Sequence, residues 1–461
     1  MRTLKIVIIG AGSTEFTPGL LADLVTSDQL RKTEVALVDI DPEAVDTMTR
    51  LARRMSEARD AGLKVSGTVD RREALPGADF VTTTIAMGGA RAWEADVRIP
   101  EKYGVYQTVG DSVGPGGVFR ALRHVPEIVD IARDMEELCP DAWLFNYTNP
   151  LSAIVRGVHK STSIRCAGLC HGVLHTRQVI ARDLGYATED VNVVFAGINH
   201  LCWLLDLRYR GTDVYPAFRK LMHDGRQAPL TGAFDDPYDA FQHVSAWLME
   251  LYGLFPSPGD RHVAEFFPYF LRTDGETLAY GTQGGLDMTN EIFATKDTTR
   301  ERLREQAYGR EPLDEELLAD AREGERLIHI IEAMVNDRPM PELAVNVRND
   351  GLIANLPPWA VVEVPGLISG YGVRGVGVGS LPEAIAGVLE QRIHQQELTV
   401  DAALSGNRAL ALQALLADPL MHNVGIEDVE AMLDESLALH GKHLPRFVAG
   451  MGSAAPLLAT T

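Results

Sequence analysis

The stretch "LKIVIIGAGSTEFT", residues 4–17, decides the fold. Its apolar run is short and rich in β-branched residues, the pattern of a strand buried on both faces, and it stops at Gly10 and Gly12. Small residues directly after a first strand let the backbone approach a pyrophosphate at the start of the next helix, expected here over 17–27. Glu15 stands where the usual fingerprint has its third glycine, so the loop also fits a Rossmann-like turn that binds nothing. A second apolar run, "EVALVDI" at 34–40, ends with Asp39. A carboxylate there bonds both ribose hydroxyls and repels a 2′-phosphate, which favours NAD over NADP. The competing use of Asp39 is a helix cap before Pro42, a job that Asp41 fits better.

The same alternation of strand and helix runs outward from this start. A helix from Pro42 to Ala61, the strand "DFVTTTI", a helix over 117–138, the strand "AWLFNYTNP", a helix over 151–159 and "IRCAGLC" together predict an α/β fold with a Rossmann-type doubly wound parallel sheet. Small residues in "TTTIAMGGA", 82–90, suit a loop pressed against a cofactor. Beyond residue 190 the regularity weakens into a helix-rich half with Pro/Gly-rich joins such as "LFPSPGD". The expected organisation is a dinucleotide-binding domain over 1–165 and a mixed α+β domain for substrate and oligomerisation over 166–461.

Charge and composition narrow the partners. A net charge of −21 argues against binding to a nucleic-acid backbone, which needs basic clusters that release counterions. No apolar run approaches the roughly 18 residues of a membrane span, and the N-terminal run is too short for a signal-peptide core. The expectation is a cytoplasmic protein with a small-molecule partner. Cysteines 139, 166, 170 and 202 would then remain thiols, free for metal or chemistry.

Cys170 in "AGLCHGVLHT" and His200 in "FAGINHLCWL" each end a predicted strand, on the edge where open α/β sheets bind ligands. One thiolate and one imidazole leave positions open on a divalent ion, which suits a catalytic metal shared with substrate oxygens. The bland alternative is packing, and Cys166 and Cys202 read as small buried residues. "GDSVGPGGVFRALRHVPEI", 110–128, offers backbone N–H groups at a helix start. "NYTNP" puts Asn146 and Asn149 where an amide can hold sugar hydroxyls, although Asn before Pro is also a common turn. "PSPGDRHVAEFFPYF" gathers Asp260, Arg261, His262 and Glu265 before aromatic residues, the mixture a sugar site uses or a solvated, salt-bridged loop.

In combination these motifs resemble the family 4 glycoside hydrolases over most of the chain: "GAGSTEFT", "REALPGADFV", "GDSVGPGGVFRALR", "NYTNP", "GLCHGV", "GINHLCW", "DRHVAEF" and "NLPPWAVVEVP" follow the family's order. The resemblance implies a fold like lactate and malate dehydrogenases overall, with NAD and Mn²⁺ or another divalent metal as cofactors, and a homodimer or homotetramer. It implies that Gly10, Gly12, Ser13, Thr14, Glu15, Phe16 and Thr17 with Asp39 and Asn149 hold NAD, that Cys170 and His200 bind the metal, and that Asn149 binds substrate. The implied chemistry departs from the two-carboxylate scheme of ordinary glycosidases. Hydride leaves sugar C3 for NAD, a base removes the acidified C2 proton, the glycosidic oxygen leaves by elimination, water adds at C1, and the hydride returns. Cys-His in place of Cys-Asp or Cys-Asn resembles the members that act on uronides and neutral α-glycosides, and "CHG" resembles the α-glucuronidase pattern most.

Trp93 in "GGARAWEADVRIP" stands where phosphosugar members carry an arginine, with Arg91 close by, so a phosphorylated substrate is disfavoured. The C2 base is assigned to Asp260 with Tyr252 as the fallback, leaving-group protonation to His171, and substrate contacts to Arg91, Trp93, Asn149, His171 and Arg261. The expected substrate is an α-glucuronide, against the family's neutral α-galactosides, α-glucosides or α-galacturonides. A 2-hydroxy-acid dehydrogenase explains the glycine loop but leaves Cys170 without a role. A non-catalytic NAD sensor leaves the Cys, His and Asn residues unexplained.

Overall fold

The computed structural model describes residues 3–227, 242–273, 278–319 and 325–450. Six strands, β1 (Lys5–Ile9), β2 (Glu34–Val38), β3 (Lys64–Thr68), β4 (Phe80–Thr83), β5 (Trp143–Asn146) and β6 (Arg165–Gly168), pair in parallel in the order 3-2-1-4-5-6. Both faces of β1 are buried, which explains its unbroken apolar sequence. Ile6 and Ile8 join Leu20, Leu24, Leu51 and Met55 from the helices Thr17–Thr26 and Pro42–Ala58, while Val7 and Ile9 join Phe119, Leu122 and Val125 from the helix Gly114–Leu138. The order reverses between β1 and β4, so the crevice for a ligand opens at their C-terminal ends. β3 was not anticipated: "KVSGT" has no apolar run, because this edge strand is largely exposed.

The sheet does not stop at β6. The remaining strands are β7 (Val191–Ile198), β8 (Leu201–Tyr209), β9 (Thr212–Asp213), β10 (Pro256–Ser257), β11 (Met340–Arg348), β12 (Val361–Ser369) and β13 (Gly372–Gly375). They extend it as β6-β11-β12-β7-β8-β10 by antiparallel pairing, giving one 13-stranded sheet with β9 and β13 at its side. The expected boundary after residue 165 therefore cuts through β6, whose backbone pairs with β5 on one side and reaches β11 on the other. The consequence for function is that the β7–β8 turn arrives at the same rim as the C-terminal ends of the parallel strands.

Candidate active site

Three features build the dinucleotide end. Gly10 has φ +92°, and a Cβ there would lie 2.7 Å from the Thr84 carbonyl carbon, so only glycine fits between β1 and β4. The Gly12 N–H donates to Asp39 Oδ2 at 2.8 Å, while Asp39 Oδ1 accepts the Asp41 N–H. Asp41, not Asp39, caps the helix at Pro42 by accepting the Glu43 N–H at 2.9 Å. Ser13 Oγ accepts the Phe16 N–H, Thr17 is buried at the start of its helix, and the Phe16 ring lies 5.3 Å from that of Tyr147. Beside this loop a cleft of about 240 Å³ is lined by Gly12, Thr14, Ala44, Thr47 and Met48, and closed by Arg300 and Arg304 of the helix Gly285–Ala307. A crowded glycine turn, a carboxylate at the end of β2 and an open cleft between them fit a dinucleotide.

The chemical end lies along the same rim. Asn199 and His200 form the two-residue turn between β7 and β8, and His200 takes φ +65°, a left-handed conformation that costs a non-glycine residue energy and recurs at functional sites. Its Nδ1 lies 3.0 Å from Ser112 Oγ, which donates to Asp111 Oδ1. The Asn149 Nδ2 donates to Asp111 Oδ2 at 2.8 Å, tying the loop after β5 to this group. The His262 ring lies 4.1 Å from that of His200, and its Nδ1 is buried with no hydrogen-bond partner among the described residues. One donor atom from each of Asp111, His200 and His262 falls within 4.8 Å of the others. Burial holds both imidazoles toward the neutral form, His262 further because His200 adds to it. Burial alone would raise Asp111, yet the fields of His200, Arg120 and His262 and the Ser112 hydroxyl hold it below the ordinary carboxylate range. Two neutral imidazoles and an ionised carboxylate are a divalent-cation donor set.

Cys170 stands just outside that trio. Its sulfur accepts the Gly172 N–H, interacts with the Asn199 amide, and is pushed well up in pKa by burial and then by Glu363. A cation is therefore what would turn this thiol into a thiolate ligand. Asn199 Nδ2 is fixed by Glu363 Oε2 at 2.9 Å, so a buried acid orients the amide that links Cys170 to the His200 turn. Cys166 and Cys202 are buried thiols, as the sequence suggests.

A buried network holds the loop that bears Asp111. Glu265 Oε1 accepts the N–H groups of Thr108, Val109 and Gly110 at 2.7 to 2.9 Å. Arg392 on the helix Glu383–Ser405 donates to the Glu265 carbonyl and to Asp418, which in turn accepts the Gly114 N–H.

The other expected residues divide. His171 Nδ1 lies 3.5 Å from Glu325 Oε1, and that partner chiefly raises its pKa, with Glu15 of the glycine loop contributing. Asp260 caps the helix His243–Tyr252: Oδ1 accepts from the Ser245 N–H and hydroxyl, Oδ2 from the Val244 N–H. Burial nevertheless raises it to about 6. Its loop presses on the chemical end, since a Cβ on Gly172 would lie 2.6 Å from Pro258 and 3.5 Å from the Cys170 sulfur. Tyr252, the fallback base, packs its ring among Trp203 and Phe267 and pairs with Tyr269 in an aromatic cluster. Arg91 is exposed, and Arg261 donates to Gln283 Oε1 at 3.0 Å. The Trp93 Nε1 donates to the Val109 carbonyl, so its polar atom is spent on the Asp111 loop. Asp111 as part of the donor set was missed by sequence reading, although "GDSVGPGG" contained it; His262 was seen only as one of a mixed loop.

Comparison with known proteins identifies the family. The profiles described as family 4 glycosyl hydrolase and family 4 glycosyl hydrolase C-terminal domain match residues 5–186 and 195–421. An α-galactosidase of Bacillus subtilis is 33% identical over 96% of this chain and 99% of its own length, and an α-galacturonidase of the same organism is 33% identical over 94% and 97%. The solved structure of the Bacillus subtilis putative glucosidase lplD superposes with a TM-score of 0.85 at 31% identity, covering 95% of this chain and 100% of that one. A 6-phospho-α-glucosidase from gut microorganisms, solved in complex with NAD and Mn²⁺, has the same fold, with a TM-score of 0.80 at 22% identity over 96% and 99%. Matched along nearly its whole length by both profiles and by full-length relatives, the chain belongs to the family 4 glycosyl hydrolases.

Proposed function

We propose that the chain hydrolyses a non-phosphorylated α-uronide, foremost an α-glucuronide, with NAD and Mn²⁺ bound, by transient oxidation at sugar C3. The observation that carries this reading is that the donor trio Asp111, His200 and His262, with Cys170 beside it, shares one rim with the glycine loop, whose Glu15 acts on His171. A plain dehydrogenase or a sensor has no use for such a donor set. The similar 6-phospho-α-glucosidase that holds both NAD and Mn²⁺ supports the pairing of cofactors. When bound, the dinucleotide supplies a hydride acceptor that is restored in each turnover, and the divalent ion supplies a Lewis acid next to a sugar oxygen.

The residues then have separable tasks. Gly10, Gly12 and the following helix start receive the pyrophosphate, and Asp39 the ribose. His200, Asp111, His262 and Cys170 would hold the cation. The Asn149 Nδ2 is committed to Asp111, which leaves its Oδ1 to accept a sugar hydroxyl. Asp260 takes the C2 proton at Oδ2, the oxygen with a single donor. With a pKa of about 6 it is ionised at neutral pH and still basic enough for the transfer. His171, raised by Glu325, donates a proton to the departing glycosidic oxygen. Asp260 would return its proton to C2 as water adds at C1, which leaves a hydrolysis without net redox change. Two features favour a uronide over a phosphosugar: Gly172 follows His171 in "CHG", and Trp93 occupies the place of the phosphate-binding arginine.

The test is a panel of aryl α-glucuronide, α-galacturonide, α-galactoside and α-glucoside with NAD and Mn²⁺. Cleavage without net NADH and with the α-glucuronide preferred is expected. Steady NADH formation without glycoside cleavage refutes the reaction, and a neutral glycoside as best substrate refutes the substrate class.

A further inference from the structure

Most buried arginines here meet a carboxylate. Arg123 makes a two-point pair with Asp96 at 2.8 and 2.6 Å, Arg392 meets Asp418 at 2.6 Å, and Arg326 meets Glu342 at 3.1 Å. Arg120 does not. It lies on the second turn of the helix Gly114–Leu138, next to the Asp111 loop, and is half-buried and desolvated. Its Nε donates to the Asn149 carbonyl at 3.2 Å, and its guanidinium carbon lies 5.6 Å from the centre of the Trp93 ring. These two contacts fix the plane of the group and leave both terminal nitrogens with no hydrogen-bonded partner among the described residues. Asp111, the acid that acts on it most, already serves Ser112, Asn149 and the donor trio.

A second cation faces the same space. Lys296, on the helix that roofs the dinucleotide cleft, is half-buried, lies within the fields of Glu15 and Arg120, and makes no hydrogen bond or ion pair among the described residues. Two desolvated cations close enough to repel each other are costly unless an anion joins them. An arginine held at Nε and across its face presents its two-nitrogen edge, the geometry that takes a carboxylate bidentately.

We propose that Arg120, oriented by Asn149 and Trp93 and backed by Lys296, binds the sugar carboxylate of the substrate and so determines specificity for uronides over neutral glycosides. The assignment rests on the glycosidase reading above. It gives Trp93 a definite role: with its Nε1 on Val109 it positions the arginine and does not touch the sugar hydroxyls.

The test compares wild type, Arg120→Met, Arg120→Lys and Lys296→Met in the presence of NAD and Mn²⁺. Three quantities are read: the ratio of kcat/KM for aryl α-uronide to that for the matching neutral glycoside, binding of free glucuronate against glucose by calorimetry, and NADH affinity by fluorescence. Arg120→Met should lower the ratio on the order of 10²-fold, the loss of a charge-assisted pair, and abolish the preference for glucuronate. Arg120→Lys should recover only part, and Lys296→Met should lower the ratio less. A wild type that binds glucuronate no better than glucose, or an Arg120→Met whose ratio is unaltered, overturns the proposal. A tenfold loss of NADH affinity in Arg120→Met with the sugar ratio intact assigns the anion to the cofactor phosphates instead, and also overturns it. Failure of every glycoside to be cleaved by wild type removes the glycosidase reading, whereas the binding comparison still decides the carboxylate site.

Discussion

Replacing Glu265 tests whether the catalytic loop is held from below. Its carboxylate is 1% exposed, and Oε1 alone accepts three N–H groups, those of Thr108, Val109 and Gly110, immediately before Asp111. Glu265→Ala strands three buried donors at ~1–3 kcal/mol each, so even at the lower end the loop loses ~3 kcal/mol. At 1.36 kcal/mol per tenfold change, that places about two orders of magnitude on the population holding Asp111 and Ser112 in place, and turnover should fall with it. Glu265→Gln keeps an oxygen at Oε1 and should stay within about threefold of wild type at pH 7. The sign of the pH dependence follows from burial, which raises Glu265 from 4.5 to about 8. A raised folded-state pKa means stability that is complete below 4.5 and lost as pH climbs through 8. Thermal melts from pH 4.5 to 9 should therefore show wild type losing stability relative to Glu265→Gln by up to ~5 kcal/mol, about half of it between pH 6 and 8. An Ala variant with wild-type turnover refutes the anchoring argument. A Gln variant as damaged as Ala means that the ionised carboxylate is the working form.

Cys170→Ser and His200→Ala should abolish Mn²⁺-dependent turnover while NADH fluorescence titrations stay close to wild type; full turnover of Cys170→Ser at limiting Mn²⁺ contradicts the ligand assignment. Gly10→Ala should weaken NADH binding at least tenfold, because its Cβ meets Thr84 backbone at 2.7 Å and φ +92° strains any side chain; an unaltered Kd would mean that the turn does not face the cofactor. Asp260→Asn should cut turnover on the order of 10²- to 10⁴-fold and product made by wild type in D₂O should carry deuterium at C2; product without C2 label excludes elimination, and labelled product from an undiminished Asp260→Asn moves the base elsewhere.

The parts of this architecture legible in the sequence are those that one local segment determines. β1, Gly10 and Asp39 are readable because a doubly buried strand, a positive φ and a strand-end carboxylate each leave a mark within a few residues. Cys170 and His200 are readable as strand ends for the same reason. The continuation of the sheet is not, because Asn346 meets Gly168 across a gap in sequence that no periodicity records. Asp111 also escapes as a donor: in sequence it is one acid before a glycine-rich helix start, and only the fold sets it beside His200 and His262. The aromatic cluster around Tyr252 escapes as well, since a tyrosine near a functional loop looks the same in sequence whether or not Trp203 and Phe267 pack against it.

The donor trio also explains why this part of the chain tolerates unfavourable local structure. Its three members come from separate segments: the loop before Gly114, the β7–β8 turn and the helix Asp260–Ala264. Bringing them together puts His200 at φ +65° and leaves His262 Nδ1 buried without a partner among the described residues, each a cost on the order of 1–3 kcal/mol. Burial keeps the Cys170 thiol protonated, a further barrier to its use as a ligand. A cation bound there would offset these costs, because it would give the imidazoles a Lewis acid and displace the thiol proton. Ion binding at 100 times Kd contributes ~2.7 kcal/mol to stability, the same size as one of these costs. The site is therefore held from beneath by Glu265, Arg392 and Asp418 and strained at the donors themselves, so a bound ion would return part of that cost as stability.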